Sequence, residues 1–582
     1  MKNITRYASN RYIHYGVIAV VCYFSFFVNN QVIPAELMEA RNLATAQEMV
    51  TYGNYLIPTM NGELRFEKPP MPTWIAAGIE HVLPGNIGAQ RYAAGLAATL
   101  MMFFLYLLIA RLTSNRVVGF VISLIAATTI NVIMGGRAVM WDIYTHSFML
   151  GAIYFMFVAF KSTGAQWRYF LFAGLFAALS FLSKGPESMY KMLLPFLIGY
   201  FIVYHTNLKE KKWSITGMVL VFAIFGLWWH GYIFFSTYSE FAKEVMHKES
   251  GSWFIHNVRQ WYYYWRFSTE SGIWMPFWLV AIVYYFVNRQ SAYRKEYSFS
   301  FIWFLAALIL LSVVPEKKTR YLLPLLIPGS MMIGFYLYQM MTSLKTRGEI
   351  IVFRTVTMMI AVIMSVIPIL LYILVYKEKQ MTFFHFLLAS SCCWLLCIYL
   401  IRAIYGKKGV KPVNVFIGCV LTMLMATAIY FKPVAGLFLN EARNSIRLLR
   451  DNKALAGIPF YYNEKEALRM ELVYEANRRF YKLNPKDDES IEKALPFVFI
   501  SGESIEKLME GKNVSVDFIG AFDNNWNKKI NILNKKENKR HNPDLVREVA
   551  VIRAKTFKTE EVDQDGETER GDATKKHSQH EN

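Results

Sequence analysis

Long apolar blocks dominate the pattern of hydrophobic and polar positions along the chain. Most blocks run for roughly 17 to 23 residues, the length an α-helix needs to cross a bilayer at about 1.5 Å per residue. Short polar connections separate them. The pattern predicts thirteen membrane-spanning helices, at 12–29, 91–110, 117–134, 143–160, 169–183, 188–204, 214–235, 272–288, 298–314, 321–341, 355–376, 382–401 and 413–432.

The last quarter of the chain has the pattern of a soluble domain. Buried strands are predicted at 457–462 ("GIPFYY") and 495–502 ("LPFVFISG"). Short helices are predicted around them, at 441–453, 464–480 and 503–510. We therefore expect an all-α polytopic membrane domain over 1–432 and a small α/β domain over 433–555. The tail 556–582 is almost wholly polar and charged, which is typical of disorder.

Composition agrees with a membrane protein and excludes other classes. The chain is 54% apolar and 18% charged, whereas soluble proteins are about a quarter charged. The net charge of +20 would suit a nucleic-acid partner, but the basic residues are spread over short loops and form no single basic face. The five cysteines lie inside predicted spans, without the spacing of a zinc site or a disulfide framework.

Charge also orients the predicted helices. The connections on the side of segment 1–11 hold 20 basic and 3 acidic residues, whereas those on the opposite side carry both signs in similar numbers. The positive-inside rule makes the first set cytoplasmic. Because the number of spans is odd, we expect a multi-pass protein of the cytoplasmic (inner) membrane, with its C-terminal domain on the periplasmic or extracytoplasmic side.

Two long connections, the first long loop (30–90) and the second long loop (236–271), are predicted to lie outside. Loops of this length in a compact protein are usually functional. In the first, "ELMEARNLATAQEMV" predicts an interfacial helix that starts at Glu36 and stops before Gly53. Glu36 and Glu39 stand three positions apart, so we expect them to share one face of that helix.

Charged residues stand in the first long loop and at the outer ends of several predicted helices, although a charge inside a spanning helix costs roughly 2.5–3.5 kcal/mol. They come from five connections on one side, so we expect a shared aqueous cavity and not scattered topology anchors. Clustered cations suit a phosphate, a nearby carboxylate suits a general base, and an opening to lipid suits a long apolar tail. These residues are Glu36, Glu39, Arg41, Glu67, Lys68, Arg137, Asp142, Lys184, Lys317, Lys318 and Arg320.

The segments that carry these charges resemble the C-type superfamily of polyprenyl-phosphate-sugar glycosyltransferases. This superfamily (GT-C) includes the aminoarabinose transferase acting on lipid A and the PMT-like protein O-mannosyltransferases. "MEARNLATAQEM" and "FEKP" resemble its first-loop pattern, and "RAVMWD", "LSKGP" and "KKTRYLLPLLIP" resemble three further segments. The resemblance covers about 1–340 and says little about 433–582. The residues of this chain that match functional positions of the family are Glu39, Arg41, Glu67, Lys68, Asp142, Lys184, Lys318, Arg320 and Tyr321.

The resemblance implies an inverting hexosyl- or pentosyltransferase that uses a polyprenyl (undecaprenyl) phosphate donor. Its acceptor would be lipid A, another envelope glycan or protein. The family has Asp before its first-loop Glu, where this chain has Met38. The base is therefore Glu39, which keeps its place beside Arg41, or Glu36, and Asp142 is a further catalytic candidate. The residues expected to bind the donor phosphate or the substrate are Arg41, Glu67, Lys68, Arg137, Lys184, Lys318, Arg320 and Tyr321.

No nucleotide cofactor is expected, because the chain has no phosphate-binding glycine loop and the charges face away from the cytoplasm. A divalent metal between the two long loops, near His247, Glu249 and His256, is compatible with the sequence, but no ligand spacing requires it. The alternative function is a transporter of lipid-linked sugars or polysaccharides without transferase chemistry. Such proteins often contain internal repeats, and none is visible here.

Overall fold

The structure, a computed structural model, describes residues 10–288, 292–344, 346–407, 409–531 and 535–555. The tail 556–582, for which we predict disorder, lies outside the described residues. The described chain is mostly helical, with one two-stranded sheet in the first long loop and one five-stranded sheet near the C-terminus.

Helices account for most of the chain up to residue 438. In chain order they are α1 (Arg11–Cys22), α2 (Leu37–Tyr52), α3 (Met71–Val82), α4 (Ile87–Thr113), α5 (Arg116–Ala127), α6 (Ile130–Gly136), α7 (Trp141–Lys161), α8 (Trp167–Lys184), α9 (Leu194–Tyr204), α10 (Lys212–Phe234), α11 (Ser239–Ile255), α12 (Met275–Val287), α13 (Arg294–Val313), α14 (Leu323–Ser343), α15 (Arg347–Leu370), α16 (Phe383–Tyr405), α17 (Pro412–Met425) and α18 (Phe431–Phe438). Short 3₁₀ segments precede α12 and α14, at Trp261–Trp274 and Thr319–Leu322.

The predicted count of thirteen spans is not confirmed, although each predicted span coincides with a helix. Within the described residues, nine helices are long and apolar enough to cross a membrane. A tenth candidate is α5 with α6, bent by 72° at a break. The hydroxyls of Thr128 and Thr129 at this break bond to helix carbonyls, which lowers the cost of interrupting the helix in lipid. The predicted spans 12–29 and 188–204 correspond to shorter apolar helices, and 169–183 corresponds to α8.

The first long loop contains a helix where the sequence predicts one, α2. It ends at Gly53, whose φ of 72° lies in the left-handed region that glycine favours. The expectation that Glu36 and Glu39 share a helical face is wrong. Glu36 is the N-cap residue with extended backbone (ψ 164°), so it stands outside the helix while Glu39 is buried in the first turn. The hairpin of β1 (Thr59–Met60) and β2 (Glu63–Leu64) follows α2.

The C-terminal sheet has the order β4–β3–β5–β7–β6. Its strands are β3 (Phe460–Asn463), β4 (Phe480–Leu483), β5 (Phe497–Ser501), β6 (Val514–Asp523) and β7 (Val546–Ala554), with short helices α19 (Met470–Ala476), α20 (Asp488–Ala494) and α21 (Ile505–Leu508) between them. β3 pairs in parallel with β4 and β5, whereas β7 is antiparallel to β5 and β6. β3 and β5 match the predicted strands. The helix predicted at 441–453 is instead two 3₁₀ turns.

The C-terminal sheet domain packs against α2. Arg479 binds both carboxylate oxygens of Glu48, at 3.1 and 2.9 Å. Gln47 donates from Nε2 to the Tyr474 carbonyl at 3.4 Å, and buried apolar side chains of α2 and α19 share one hydrophobic core. Since Glu39 of α2 also binds to α4, the helix lies between the membrane helices and the sheet.

Candidate functional site

A cavity of about 290 Å³, called here the main cavity, lies where α2 meets the ends of the membrane helices. It brings together five of the residues predicted from the sequence: Glu36, Glu39, Arg137, Asp142 and Arg320. Residues that were not predicted from the sequence complete its polar lining. They are Asn30, Arg91, Asn131, Glu270 and Thr319.

Glu39 is fully engaged by the protein. Arg91 donates from Nε to Oε1 at 2.9 Å and from Nη2 to Oε2 at 2.6 Å. The backbone N–H of Val139 donates to Oε1 at 2.9 Å, and that of Glu36 donates to Oε2 at 3.3 Å. Both carboxylate oxygens are thus occupied by donors of the protein itself. The position of Glu39 suits a structural role, in which it fastens α2 to α4.

Glu36 is in a different situation. It is exposed to the main cavity, and its carboxylate has no ion-pair partner within 4.0 Å in the described part of the chain. The surrounding protein and the charge of Glu39 raise its pKa, against the opposing effect of Arg540, Arg91 and Arg320. A carboxylate with a raised pKa that faces a cavity is suited to general-base chemistry.

Arg137 and Arg320 supply positive charge to the same cavity. Arg137 stacks over the ring of Phe431, 4.5 Å from its centroid, and donates from Nη2 to the Val28 carbonyl. Its Nε and Nη1 are buried and have no hydrogen-bond partner among the described residues. Arg320 pairs with Asp142 across 3.5 Å. Because buried donors without partners are costly, the arrangement is suited to binding an anion in the main cavity.

Asp142 connects the main cavity to a buried charge network. Lys184 donates to Asp142 Oδ1 at 2.6 Å and pairs with Glu187 at 2.8 Å. Lys191 pairs with the same Glu187. Glu187 and Lys191 were not predicted from the sequence. Their signal was available, since two opposite charges four residues apart in an apolar stretch indicate an internal ion pair.

Tyr321 lies at the centre of this network. The Lys191 ammonium is 3.2 Å from the ring centroid and that of Lys184 is 4.8 Å from it. The hydroxyl donates to Glu316 at 3.3 Å, and Glu316 pairs with Lys318. The structure thus brings together the predicted Lys184, Lys318 and Tyr321, but they lie beside the main cavity and do not line it.

The predicted residues Arg41, Glu67 and Lys68 form a separate cluster between the two long loops. Arg41 pairs with Glu67 at 3.8 Å, and Lys68 donates to Glu249 of α11 at 2.6 Å. In the described residues none of the three lines the main cavity. Arg65 connects the two places, since it pairs with Glu67 and stacks over the ring of Trp141, the residue before Asp142.

Within the residues that the structure describes, no group of three or more His, Cys, Asp or Glu side chains is arranged to hold a metal ion. Of the residues considered for a metal between the long loops, Glu249 binds Lys68, and His247 lies on α11. His256 follows the end of this helix.

Residues 67–229 match the family described as dolichyl-phosphate-mannose-protein mannosyltransferase. Two relatives are named as undecaprenyl phosphate-alpha-4-amino-4-deoxy-L-arabinose arabinosyl transferases. That of Proteus mirabilis is 23% identical over 400 residues, which cover 65% of this chain and 70% of the relative. That of Shewanella sediminis is 26% identical over 325 residues, which cover 52% of this chain and 57% of the relative.

The fold is similar to that of ArnT from Cupriavidus metallidurans bound to undecaprenyl phosphate. The two chains share 13% sequence identity with a TM-score of 0.63, over 93% of this chain and 97% of the other. At this low identity, the structural similarity supports the fold alone. The family match and the relatives indicate the type of enzyme. Together they make the chain similar, over residues 67–229 and in its fold, to PMT-like membrane glycosyltransferases.

Proposed function

We propose that the protein transfers a sugar from a polyprenyl phosphate, of the undecaprenyl type, to an acceptor on the extracytoplasmic side of the cytoplasmic membrane. The acceptor is lipid A, another envelope glycan or a protein. One observation carries the proposal: Glu36 shares the main cavity with Arg137 and Arg320. A base and an anion site in one space are what transfer from a phosphate leaving group requires.

In the proposed reaction, an oxygen of the acceptor attacks C1 of the donor sugar with inversion. The bond between C1 and the phosphate oxygen breaks, and its electron pair stays on the phosphate. Glu36 takes the proton from the acceptor oxygen. Arg137 and Arg320 stabilise the negative charge that grows on the leaving group. The products are the glycosylated acceptor and polyprenyl phosphate.

The remaining predicted residues have supporting roles in this proposal. Lys184 orients Asp142, which in turn holds Arg320 at the cavity. Lys68 and Arg41 are proposed to reach the donor phosphate when they leave Glu249 and Glu67. The names of the arabinosyl transferases and the undecaprenyl phosphate bound to the Cupriavidus metallidurans protein support the choice of donor lipid.

Binding of undecaprenyl phosphate to the purified protein in lipid nanodiscs tests the anion site. Arg137→Gln and Arg320→Gln should each weaken binding about tenfold or more, because a charge-assisted contact to phosphate is lost. Arg168→Gln, which removes an exposed arginine away from the main cavity, is the matched control and should bind as the wild type does. Equal binding by all four proteins would refute the proposed donor site.

The competing function is a transporter that moves a lipid-linked sugar without breaking it. The two functions differ in the fate of the phosphate, since only transfer releases sugar-free polyprenyl phosphate. Lipid-linked sugars extracted from the host membrane should lose their sugar to a co-reconstituted acceptor extract, and Glu36→Gln should stop this loss. Passage of intact lipid-linked sugar across the bilayer, with no sugar-free lipid formed, would favour the transporter.

A further inference from the structure

A second cavity, called here the polar cleft, opens between the first long loop and the C-terminal sheet domain. Its volume is about 570 Å³. One wall is the segment 34–37 that leads into α2, and the other is formed by the segments 524–527 and 539–543 of the sheet domain. Among the described residues, Glu36 is the one side chain that lines both the polar cleft and the main cavity.

The lining of the polar cleft contains cations that are not paired with an acidic residue. Arg443 pairs with Glu475, and Arg469 pairs with Glu471, both at 2.8 Å. Two further cations of the lining, Lys539 and Arg540, are exposed and have no ion-pair partner within 4.0 Å in the described part of the chain. Since the acidic lining residues other than Glu36 are already paired, the cleft has unbalanced positive charge for a ligand.

The lining of the polar cleft is rich in amide groups. Asn525 accepts from the backbone N–H of Asn542 at 2.7 Å and donates to its carbonyl at 2.9 Å. This pair fixes the segment that carries Lys539 and Arg540 to the end of β6. Between the buried Asn525 and Asn527 the ring of Trp526 is half-buried in the lining.

These groups match the chemistry of a charged sugar. The flat face of an aromatic ring packs against the apolar face of a pyranose, amides bond to hydroxyl groups, and paired cations bind phosphate or carboxylate. Binding of a peptide as an added strand or as an amphipathic helix would instead require an open sheet edge or a row of apolar pockets. The lining of the polar cleft, with two free cations beside amides and one aromatic ring, favours the sugar.

We propose that the polar cleft binds the acceptor as an anionic sugar, one that carries a phosphate or carboxylate group, and presents its reacting oxygen to Glu36. The proposal rests on the transferase function given above. The donor occupies the main cavity, and Glu36 stands where the two cavities meet. Lys539 and Arg540 then determine which acceptors bind.

Binding of a small probe tests the cleft without any need for turnover. N-acetylglucosamine 1-phosphate and neutral N-acetylglucosamine are titrated into the full-length protein in nanodiscs. The phosphorylated sugar should bind at least tenfold more tightly than the neutral one. The double variant Lys539→Gln/Arg540→Gln should abolish this preference. Lys529→Gln/Lys535→Gln removes two exposed charges of the same domain outside the cleft and should retain it.

Competition distinguishes the sources of the anionic sugar. A phosphorylated glycolipid placed in the nanodisc should displace the probe if the acceptor is a lipid headgroup, and a soluble phosphorylated polysaccharide should do so if it is a free glycan. The proposal is wrong if the probe shows no preference for the phosphate, if the control variant loses as much, or if only an acceptor polypeptide displaces the probe.

Undecaprenyl phosphate binding is measured on the same samples. If the wild type binds the donor lipid but shows no preference for the sugar phosphate, the acceptor proposal for the polar cleft is wrong and the transferase proposal stands. Absent donor-lipid binding in the wild type, with the sugar phosphate still bound, contradicts the transferase proposal instead.

Discussion

Arg91 holds Glu39 through two hydrogen bonds, of 2.9 Å from Nε to Oε1 and of 2.6 Å from Nη2 to Oε2. Their side chains are 4% and 2% exposed. Breaking a buried ion pair by removing one partner costs about 3–5 kcal/mol, because the other charge is left unpaired. Glu39 is thus committed to joining α2 to α4, whereas Glu36 is exposed to the main cavity.

This difference predicts separable effects for the two carboxylates. Glu36→Gln should leave the unfolding temperature close to that of the wild type and reduce transfer by roughly 10²-fold or more, because the base is lost. Glu39→Gln should lower the unfolding temperature markedly, since Arg91 keeps a buried charge. Thermal unfolding in detergent and the initial transfer rate of the folded fraction measure the two effects.

Glu63→Gln is the matched control, because Glu63 is an exposed carboxylate of the same loop. It should change neither quantity. The assignment moves to Glu39 if Glu39→Gln is fully folded and inactive while Glu36→Gln keeps its rate. Full activity in both variants would rule out a base in this pair.

The pH dependence of the reaction follows from the raised pKa of Glu36. The base acts in its ionised form, so kcat/KM should rise with pH through a pKa above that of an ordinary carboxylate. Arg540 lowers this pKa. Arg540→Gln should therefore move the acid limb of the profile to higher pH, and Lys529→Gln should not. An unchanged limb in Arg540→Gln would show that the titrating group is not Glu36.

The same shift has a consequence for stability. A carboxyl whose pKa is higher in the folded protein favours the protonated folded state, so folding loses stability as pH rises from the unfolded pKa through the folded one. Glu36→Gln removes this loss. The variant should therefore unfold at a slightly higher temperature than the wild type at neutral pH and not at acid pH.

The apolar pattern predicted where helices form, but it did not predict correctly how many of them are long enough to cross a membrane. Every predicted span coincides with a helix, because a long apolar run in lipid has no other way to satisfy its backbone. Hydropathy cannot show that α5 ends at Ala127 and that a separate helix, α6, begins at Ile130 after a bend. In the sheet domain, β3 and β5 were predictable as apolar runs. β6 was missed because most of its residues are only partly buried.

The candidate site was predictable only in part. Charges at the ends of spanning helices indicated that Asp142, Lys184 and Arg320 would meet, since topology brings such ends together. The pairing of Glu39 with Arg91 joins residues 52 positions apart, and no local pattern reports it. The sequence does not show that Arg91 binds Glu39. The position of Glu39 beside Arg41, which matches the family pattern, therefore favoured Glu39 over Glu36 as the base.

The predicted orientation places the C-terminal sheet domain outside the cytoplasmic membrane. Alkaline phosphatase fused after residue 555 should therefore be active, and a fluorescent protein that folds only in the cytoplasm should be dark at the same place. Fusions after Asn207, in a basic connection of the opposite side, should give the reverse result. Cytoplasmic fluorescence from the fusion at 555 would contradict the orientation.

The Lys68–Glu249 pair joins the two long loops. The role of Lys68 depends on whether it also binds the phosphate of the donor. The two side chains are 26% and 37% exposed, so the pair contributes only about 0–1 kcal/mol to stability and the variants should fold. If Lys68 binds the donor phosphate, Lys68→Met should lose roughly 2.7–4 kcal/mol of transition-state stabilisation, and Lys68→Arg should regain part of it.

Glu249→Gln separates donor binding from loop fastening, because it breaks the same ion pair and leaves the lysine charged. In the donor role, Glu249→Gln should keep the transfer rate while Lys68→Met loses it, since only the second variant removes the cation. In the fastening role, both variants should have the same small effect, and the double variant should be no worse than either one. Turnover per folded molecule, measured for the two single variants and the double variant, decides between the roles.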